Sequence, residues 1–274
     1  MTRRLLRQLV LAGGALAMLY PLLWMVSASV KPVDEIFAGS GLWPRHPTLD
    51  NYRTGWTALG LGFGTFFVNS MVISLASVIG NMLSCSMAAY ALARLSFAFK
   101  RLWFAVMLLS LMLPVHVLII PQYTLFHRLG WTNTFLPLIV PRFLGVDGFF
   151  IFLMVQFIRS LPTELDAAAR LDGCGPVQIY LRIILPLMAP VLVTTAVLTF
   201  IWSWDDFLSQ LVYLDSLDNY TVPLALRSFL DASGESNWGQ MLAMATLSLV
   251  PMLAFFVVFQ RRITEGIAAT GLPG

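Results

Sequence analysis

Six stretches of this sequence stay apolar for about twenty residues or more, and this pattern limits the folds open to the chain. A helix needs roughly 20 predominantly apolar residues to cross the hydrocarbon core of a bilayer. Hydrophobic residues fill 58% of the 274 positions and charged residues only 11%, against about 25% charged in ordinary soluble domains. We therefore predict an all-α polytopic membrane protein, with a single transmembrane domain over residues 1–274. Its six predicted transmembrane helices cover residues 5–30, 63–92, 102–125, 134–158, 187–212 and 240–260.

The third and fourth predicted helices each contain two prolines, Pro114 with Pro121 and Pro137 with Pro141. Proline has no backbone N–H to donate, and its ring clashes with the preceding turn of a helix. Inside a membrane, the carbonyl that loses its partner must be satisfied by a neighbouring helix or side chain. Kinks or breaks are therefore predicted in both segments.

Lys and Arg are unevenly distributed between the two sides of the predicted bundle. If the N-terminus is cytoplasmic, most of the 17 Lys and Arg residues fall in cytoplasmic segments, as the positive-inside rule requires. Six spans also place both termini on one side, and residues 159–186 become a cytoplasmic loop. Trp43, Trp56, Trp131 and Trp238 lie in or beside the outer loops, where aromatic belts form.

The first apolar run also has an interpretation as a cleaved signal peptide. Arg3, Arg4 and Arg7 precede the run, and it ends in the small residues 27–29. The apolar part of a signal peptide is only about 7–15 residues long, and this run is longer. We therefore expect it to be retained as a transmembrane helix.

Several functional classes have no support in the sequence. The net charge of +3 comes from cations spread over the loops, whereas a nucleic-acid surface needs clustered Lys and Arg in polar surroundings. The sequence has no G-x-x-x-x-G-K-[ST] phosphate loop, so we expect the chain to bind no nucleotide. Cys85, Cys174 and the three scattered histidines form no pattern for metal ligation. The sequence also lacks a pair of catalytic residues that would indicate a membrane enzyme.

The polar segment "ELDAAARLDGCGPVQIYLRIILPLMAP", residues 164–190, interrupts the apolar pattern. Pro162 suits the first turn of a helix, acidic residues in that turn favour the positive end of its dipole, and the alanines continue it with little bulk. Gly173 is expected to end the helix, and a second helix is expected over about 177–186. The small residues would let another backbone approach closely. The charged side chains are expected to stay in water on the flanks: Glu164, Asp166, Arg170 and Asp172.

The spacing in this segment resembles the EAA loop of ABC-importer membrane subunits. In that motif two alanines are followed by glycine and, after nine further residues, by Ile-x-Leu-Pro. Here Ala168 and Ala169 lead to Gly173, and the later part of the motif is matched by Ile183, Leu185 and Pro186. The preceding "LPTELDAAARLDG" is similar to the carbohydrate-uptake branch, the family of the second maltose-type permease. Other segments along the chain look like the same family: "VSASVKPVDEIF", "PTLDNYR", "VNSMVIS", "IWSWDDFL" and "FQRRITEGIAATGLPG".

Two positions depart from the pattern of that family. Ala167 stands where the family usually has the glutamate of the motif, and Asp205 stands where it usually has asparagine. The first departure affects the salt contact that the motif makes to the ATPase. Glu164 and Asp166 are the candidate substitutes for that contact.

The resemblance implies a non-catalytic permease subunit of an ATP-driven, binding-protein-dependent importer of a sugar or sugar derivative, in a bacterial or archaeal cytoplasmic membrane. The implied partners are a homologous second permease subunit, two ATP-binding cassette subunits, an extracytoplasmic solute-binding protein and membrane lipid. ATP and Mg²⁺ would be bound by the ATPase subunits, and this chain would hold no cofactor, metal or nucleic acid. The residues implied for ATPase coupling are Glu164, Asp166, Ala167, Ala168, Ala169, Arg170, Asp172, Gly173, Ile183, Leu185 and Pro186.

Polar and aromatic residues at membrane depth are the candidates for a solute path, because ionisable groups are costly there. A sugar needs a flat apolar surface for its C–H face and strong acceptors for its hydroxyl groups. The same carboxylates could instead pair within the bundle or cap a helix break. The candidate residues are Asn69, Arg142, Asp147, Trp202, Trp204, Asp205 and Asp206.

Two other transport functions remain open at this point. One is the membrane subunit of an ABC importer for a non-sugar solute, such as a glycerol phosphate ester or a polyamine. The other is an ion-coupled secondary transporter, which would need no ATPase and would stop when the ion gradient collapsed. The sequence "ELDAAARLDG" and the C-terminal segment favour the sugar importer over the first of these two.

Overall fold

The computed structural model describes residues 2–38, 41–230 and 237–270. The regular elements in these ranges are helices, and no β-strand occurs among them. The first helices are α1 (Thr2–Ser29), α2 (Val33–Ile36), α3 (Asp50–Gly55), α4 (Phe63–Arg94), α5 (Lys100–Ser110), α6 (Val115–Arg128), α7 (Leu136–Ile139) and α8 (Gly148–Ser160). The others are α9 (Glu164–Leu171), α10 (Pro176–Ile179), α11 (Leu185–Leu187), α12 (Ala189–Trp204), α13 (Leu208–Tyr213), α14 (Val222–Ser228) and α15 (Trp238–Thr270). Short 3₁₀ turns cover Val140–Leu144 and Leu217–Asn219, and a π turn covers Tyr180–Ile184.

Four helical segments in the described ranges are long and apolar enough to cross a membrane: Leu5–Ser29, Phe63–Arg94, Leu136–Ser160 and Trp238–Gln260. A fifth candidate is a bent pair, Pro176–Leu187 with Ala189–Trp204, whose two parts meet at 74°. The prediction of an integral membrane protein built from helices is thereby confirmed at the level of four to five spans. The count of six stays a prediction.

The predicted third span, residues 102–125, is divided into α5 and α6. The break falls between Ser110 and Val115, and Pro114 has an extended backbone there. Neither helix is long enough to cross a bilayer on its own, because about 20 residues are needed. The fifth predicted span, 187–212, is likewise shorter than expected, since α12 ends at Trp204 and α13 begins only at Leu208.

The proline breaks predicted in the third and fourth spans are confirmed. Pro114 precedes α6, and Pro137 lies at the start of α7. Pro141 lies in the 3₁₀ turn that separates α7 from α8. Pro121, by contrast, lies inside α6.

The contacts group the chain into two compact units. One unit comprises Met1–Val68 and Thr221–Pro251. Its interior contains the aromatic rings of Phe63, Phe66 and Phe229. The buried amide of Asn51 donates hydrogen bonds to the carbonyl oxygens of Ser29 (3.0 Å) and Lys31 (2.7 Å), which fixes the segment that follows α1.

The other unit comprises Asn69–Tyr220 and Met252–Gly274. Its core includes Phe150, Met154 and Ile158 of α8, which are fully buried. One side of α4 is a buried polar face: Ser70, Ser74, Ser77, Asn81 and Ser84. These positions are three or four residues apart, which places them on one side of the helix. Small and polar residues of this kind are typical of contacts between membrane helices, because they let backbones approach closely.

Gly80 shows how close that approach is in the second unit. A Cβ atom at Gly80 would lie 2.7 Å from Cδ2 of Phe143 and 3.0 Å from the backbone carbonyl carbon of Arg142. The 3₁₀ turn at 140–144 therefore packs directly on the backbone of α4. This packing places Arg142 beside the buried polar face.

We expect Gly80→Val to lower the free energy of unfolding by about 1–3 kcal/mol, because extra atoms in a well-packed interior force neighbours to move. Gly13→Val is the matched control, since a Cβ at Gly13 in α1 would have no heavy atom within 4 Å apart from the backbone of its own helix. Thermal unfolding of the detergent-solubilised full chain measures both. An equal Tm for the two variants would contradict the close contact at Gly80.

Candidate functional site

The loop helix α9 begins after Thr163, with acidic residues in its first turn. It ends at Leu171, and Gly173 turns the chain with a positive φ of 79°. The backbone N–H of Gly173 donates to the carbonyl of Arg170 (3.0 Å), and that of Cys174 donates to the carbonyl of Ala169 (2.9 Å). These bonds satisfy carbonyls that a helix end leaves unpaired. Glycine adopts this conformation without the steric cost of a Cβ.

The second part of the loop is α10, followed by the π turn and α11. Two hydrogen bonds attach it to α4. The hydroxyl of Tyr180 lies 2.7 Å from Oγ of Ser86, and the hydroxyl of Tyr90 donates to the carbonyl of Pro176 (3.0 Å). The predicted helix, glycine turn and second helix are therefore present, and the second helix packs against α4. Of the predicted motif residues on this side, Ile183 and Leu185 are half-buried and Pro186 is exposed.

Asp166 forms an ion pair with the last residue of α4. Its Oδ2 lies 3.0 Å from Nε of Arg94, and the two side chains are only 10% and 8% exposed. Arg94 also donates from Nη2 to the carbonyl oxygen of Leu161 (2.6 Å). One guanidinium thus fixes both the chain that enters the loop and the first turn of α9.

The expectation that Asp166 stays in water is therefore wrong. Asp166 and Ala169 are three residues apart and share the buried face of α9, so Asp166 points towards α4. Because its charge is already paired with Arg94, Asp166 is a poor substitute for the glutamate missing at position 167. The other charged residues of the segment are exposed as expected: Glu164, Arg170 and Asp172.

The opposite face of α9 is exposed and contains small and apolar side chains. Ala167 and Ala168 lie on it, and the side chain of Leu171 is 91% exposed. Val177, at the start of the second helix, is 69% exposed. Contiguous exposed apolar side chains are typical of a surface that binds another protein or a membrane.

Among the candidates for a solute path, Arg142 and Asp147 are brought together. Nη1 of Arg142 lies 2.9 Å from Oδ2 of Asp147 across the turn that precedes α8. The fully buried amide of Asn81 lies 3.4 Å from the same oxygen and 3.2 Å from Oγ1 of Thr199. This cluster connects α4, the start of α8 and α12 through polar contacts. Polar groups at membrane depth are costly to leave without a partner.

The remaining candidates lie in other neighbourhoods. The amide of Asn69 donates to the carbonyls of Asp218 and Tyr220, both at 2.8 Å. This holds the segment around the 3₁₀ turn at 217–219 against α4. Oδ1 of Asp206 accepts a hydrogen bond from the backbone N–H of Ser209 (3.0 Å) at the start of α13.

The two tryptophans of α12 differ in exposure. Trp204 is buried and stacks on Phe200, with ring centroids 5.6 Å apart. Trp202 is 48% exposed and contacts the rings of Phe149 and Phe150. Asp205, directly after α12, is also exposed. Trp202 and Asp205 therefore present an aromatic face and a carboxylate at the surface of the chain.

The sequence analysis missed the roles of two residues, Arg94 and Asn81. Arg94 was interpreted only as a topology signal, although an arginine at the end of an apolar helix also needs a partner for its charge. Asn81 is a strongly polar residue in the middle of an apolar helix, a position that indicates a tertiary contact. Its position alone could have marked it.

Comparison with known proteins matches residues 80–268 to the family described as "Binding-protein-dependent transport system inner membrane component". The arabinooligosaccharides transport system permease protein of Halalkalibacterium halodurans is 36% identical over 93% of this chain and 91% of the relative. The trehalose transport system permease protein of Mycobacterium tuberculosis is 35% identical over 93% of each chain. The trehalose/maltose transport system permease protein of Thermococcus litoralis is 31% identical over the full length of both.

A solved structure has the same fold. It is a chain of a bacterial ABC transporter involved in the import of the acidic polysaccharide alginate. The TM-score is 0.82, and the match covers 95% of this chain and 96% of the other. The sequence identity is 20%, so the match supports the fold alone.

Removing one partner of the Arg94–Asp166 pair should loosen the loop, since breaking a buried ion pair costs about 3–5 kcal/mol. We expect Asp166→Ala and Arg94→Ala each to speed hydrogen–deuterium exchange at residues 161–172. The double variant Arg94→Leu with Asp166→Leu should be less disturbed than either, because it leaves no unpaired charge. Asp172→Ala, at an exposed position, is the control. Unchanged exchange in both single variants would show that the pair does not hold the loop.

Proposed function

Because the chain belongs to the family of binding-protein-dependent transport system inner membrane components, we propose that it is the permease subunit of an ATP-driven importer for a sugar or sugar derivative. The proposed solute class is supported by the relatives named for arabinooligosaccharides, trehalose and maltose, which align with 93–100% of the chain. A transport role is also consistent with the exposed Trp202 and Asp205.

The proposed topology is one transmembrane domain over residues 1–274 with six spans and both termini in the cytoplasm. The third span would consist of α5 and α6, broken at Pro114, and the fifth would include α12. The loop at 159–186 would then face the cytoplasm. The distribution of Lys and Arg supports this orientation.

The loop is the proposed contact with the ATPase. Glu164, Ala167, Ala168, Arg170 and Leu171 would contact a groove on an ATP-binding cassette subunit, which would bind ATP and Mg²⁺ itself. Movement of α9 would reach α4 through the Arg94–Asp166 ion pair, and the second helix would follow through its bonds to Ser86 and Tyr90. The other proposed partners are a homologous permease, a second ATPase subunit and an external binding protein.

The proposed solute path includes the residues of α12 and its end. Trp202 would stack on the apolar face of a sugar, and Asp205 would accept its hydroxyl groups. Arg142 and Asp147 would lie beside the path as a fixed pair. Asn69, Trp204 and Asp206 would act indirectly, by holding the segment around 217–219 and the helix ends in place.

Reconstitution tests the function against its two rivals. The chain, its partner permease, the ATPase subunits and the binding protein would be placed in liposomes. Labelled maltooligosaccharides, trehalose, spermidine and glycerol 3-phosphate would be offered in turn. We expect accumulation of a sugar that depends on ATP and survives an ionophore. Accumulation of a non-sugar solute would overturn the solute class, and transport driven by an ion gradient without ATP would overturn the mechanism.

Gly173 provides a test of the coupling loop. No heavy atom lies within 4 Å of a Cβ at Gly173 or at Gly175, but only Gly173 has a positive φ. Gly173→Val should therefore cost about 1–2 kcal/mol of backbone strain, whereas Gly175→Val should not. We expect Gly173→Val to abolish uptake while membrane expression is retained.

Gly175→Val and Cys174→Ala are the matched controls for this test, and both should transport normally. Uptake is measured with the labelled sugar, and assembly by co-purification of the ATPase subunits. Normal uptake by Gly173→Val at normal expression would show that this turn does not couple ATP hydrolysis to transport.

The orientation can be checked through the two cysteines. Cys85 is buried, whereas Cys174 is half-exposed at the turn of the loop. We expect a membrane-impermeant maleimide to label Cys174 in inverted vesicles stripped of peripheral subunits but not in intact spheroplasts. Cys174→Ala should abolish the labelling. Labelling in intact spheroplasts would reverse the proposed topology.

A further inference from the structure

A groove of about 350 Å³ lies on the surface of the second unit, among α4, α5 and α8. Its walls are apolar. They include Ala88, Ala91 and Leu92 of α4, Trp103 and Met107 of α5, and Ile151 of α8. The alanines on α4 leave the space, because larger side chains at these positions would fill it. An apolar groove between membrane helices has the right surface for a hydrocarbon chain.

Three cations lie at the ends of two helices that line this groove: Lys100 and Arg101 at the start of α5, and Arg159 in the last turn of α8. Nζ of Lys100 donates to the carbonyl of Leu95 (2.7 Å), in the stretch between Leu92 and Phe97, both of which line the groove. The guanidinium of Arg159 lies 5.1 Å from the ring centroid of Phe104. Among the residues that the structure describes, no carboxylate lies within 4.0 Å of any of these three cations.

Among the described residues, no ion pair therefore compensates the positive charge of these cations. Partial burial and the nearby charge of Arg159 both lower the pKa of Lys100. A bound anion would act in the opposite direction and stabilise the charged ammonium. The cluster thus has the electrostatics of a site for a negatively charged group.

The aromatic residues next to Lys100 and Arg101 in the sequence are of the kind found at a membrane–water interface. The segment Phe97–Phe104 reads "FAFKRLWF". Phe97, Phe99 and Trp103 are 42%, 74% and 61% exposed. Exposed aromatic rings interleaved with Lys and Arg are typical of the headgroup level of a bilayer, where the rings lie among headgroups and the cations reach phosphates.

We propose that this groove binds an anionic phospholipid. Its phosphate would lie between Lys100 and Arg159, and one acyl chain would occupy the groove beside Trp103. Basic pockets between transmembrane helices on the cytoplasmic side bind anionic headgroups in this way. The inference requires that α4 and α8 cross the membrane; it does not depend on which solute is transported. A free phosphate or sugar phosphate would use the cations but leave the apolar groove empty.

Native mass spectrometry of the full chain, purified with its partner subunits, tests the proposal with phosphatidylglycerol and phosphatidylcholine. We expect one phosphatidylglycerol to be retained preferentially. Lys100→Gln with Arg159→Gln should weaken retention roughly thirtyfold, since each basic residue near an anionic lipid contributes about a factor of five. Arg53→Gln with Arg128→Gln removes the same charge at exposed positions elsewhere and should retain the lipid.

A second measurement places the acyl chain. Phosphatidylglycerol with brominated acyl chains should quench the fluorescence of Trp103 more than brominated phosphatidylcholine does. The difference between the native chain and Trp103→Phe isolates this residue from the other seven of the 8 tryptophans. Soluble glycerophosphoglycerol and inorganic phosphate should not displace the lipid.

Four results would overturn the proposal. They are equal retention of the two lipids, retention unchanged by the double variant, displacement of the lipid by inorganic phosphate, and no retained lipid in the assembled complex. Displacement by phosphate would indicate a simple anion site. A complex without retained lipid would indicate that protein covers the groove. Each result leaves ATP-driven uptake untouched, so failure here is distinguishable from failure of the proposed function.

Discussion

The ion pair between Arg94 and Asp166 fixes the loop at 159–186 to the second transmembrane helix. An arginine at the end of an apolar helix must either reach water or find an acidic partner, because an unpaired charge in low dielectric costs several kcal/mol. Arg94 finds Asp166 at 3.0 Å and also binds the carbonyl of Leu161. These two contacts set the direction of α9 and leave the face with Ala167, Ala168 and Leu171 exposed.

Three further residues place α4 at the centre of both candidate sites. Asn81 contacts Asp147 and Thr199, Ser86 contacts Tyr180, and Tyr90 contacts Pro176. From Asn81 to Arg94 is a length of about 20 Å along the helix axis, at 1.5 Å per residue. One rigid helix therefore connects the polar cluster beside the proposed solute path to the loop that would meet the ATPase.

The helical class and the turn at Gly173 could be predicted from the sequence, because apolar length and glycine position are local signals. The partner of Asp166 could not, since α9 has acids on both faces and Arg94 lies more than seventy residues earlier in the chain. Asn69 and Asn81 show the same limit. Both are amides in one apolar helix, yet Asn69 holds the segment around 217–219 and Asn81 joins a buried cluster. Pro114 signalled a break, but not that the helix on each side would be short.

The direction in which the loop points depends on the number of residues in the π turn at Tyr180–Ile184. A π turn holds one residue more than the α-helical turn it replaces, and each residue of an α-helix accounts for about 100° of rotation. Deletion of one residue here would give a regular helix and rotate everything before it by that angle about the axis. Tyr180 would then face away from Ser86, and the chain from α9 to α10 would point in another direction. Insertions and deletions in this turn are thus a means by which related proteins could re-aim the loop without changing its surface.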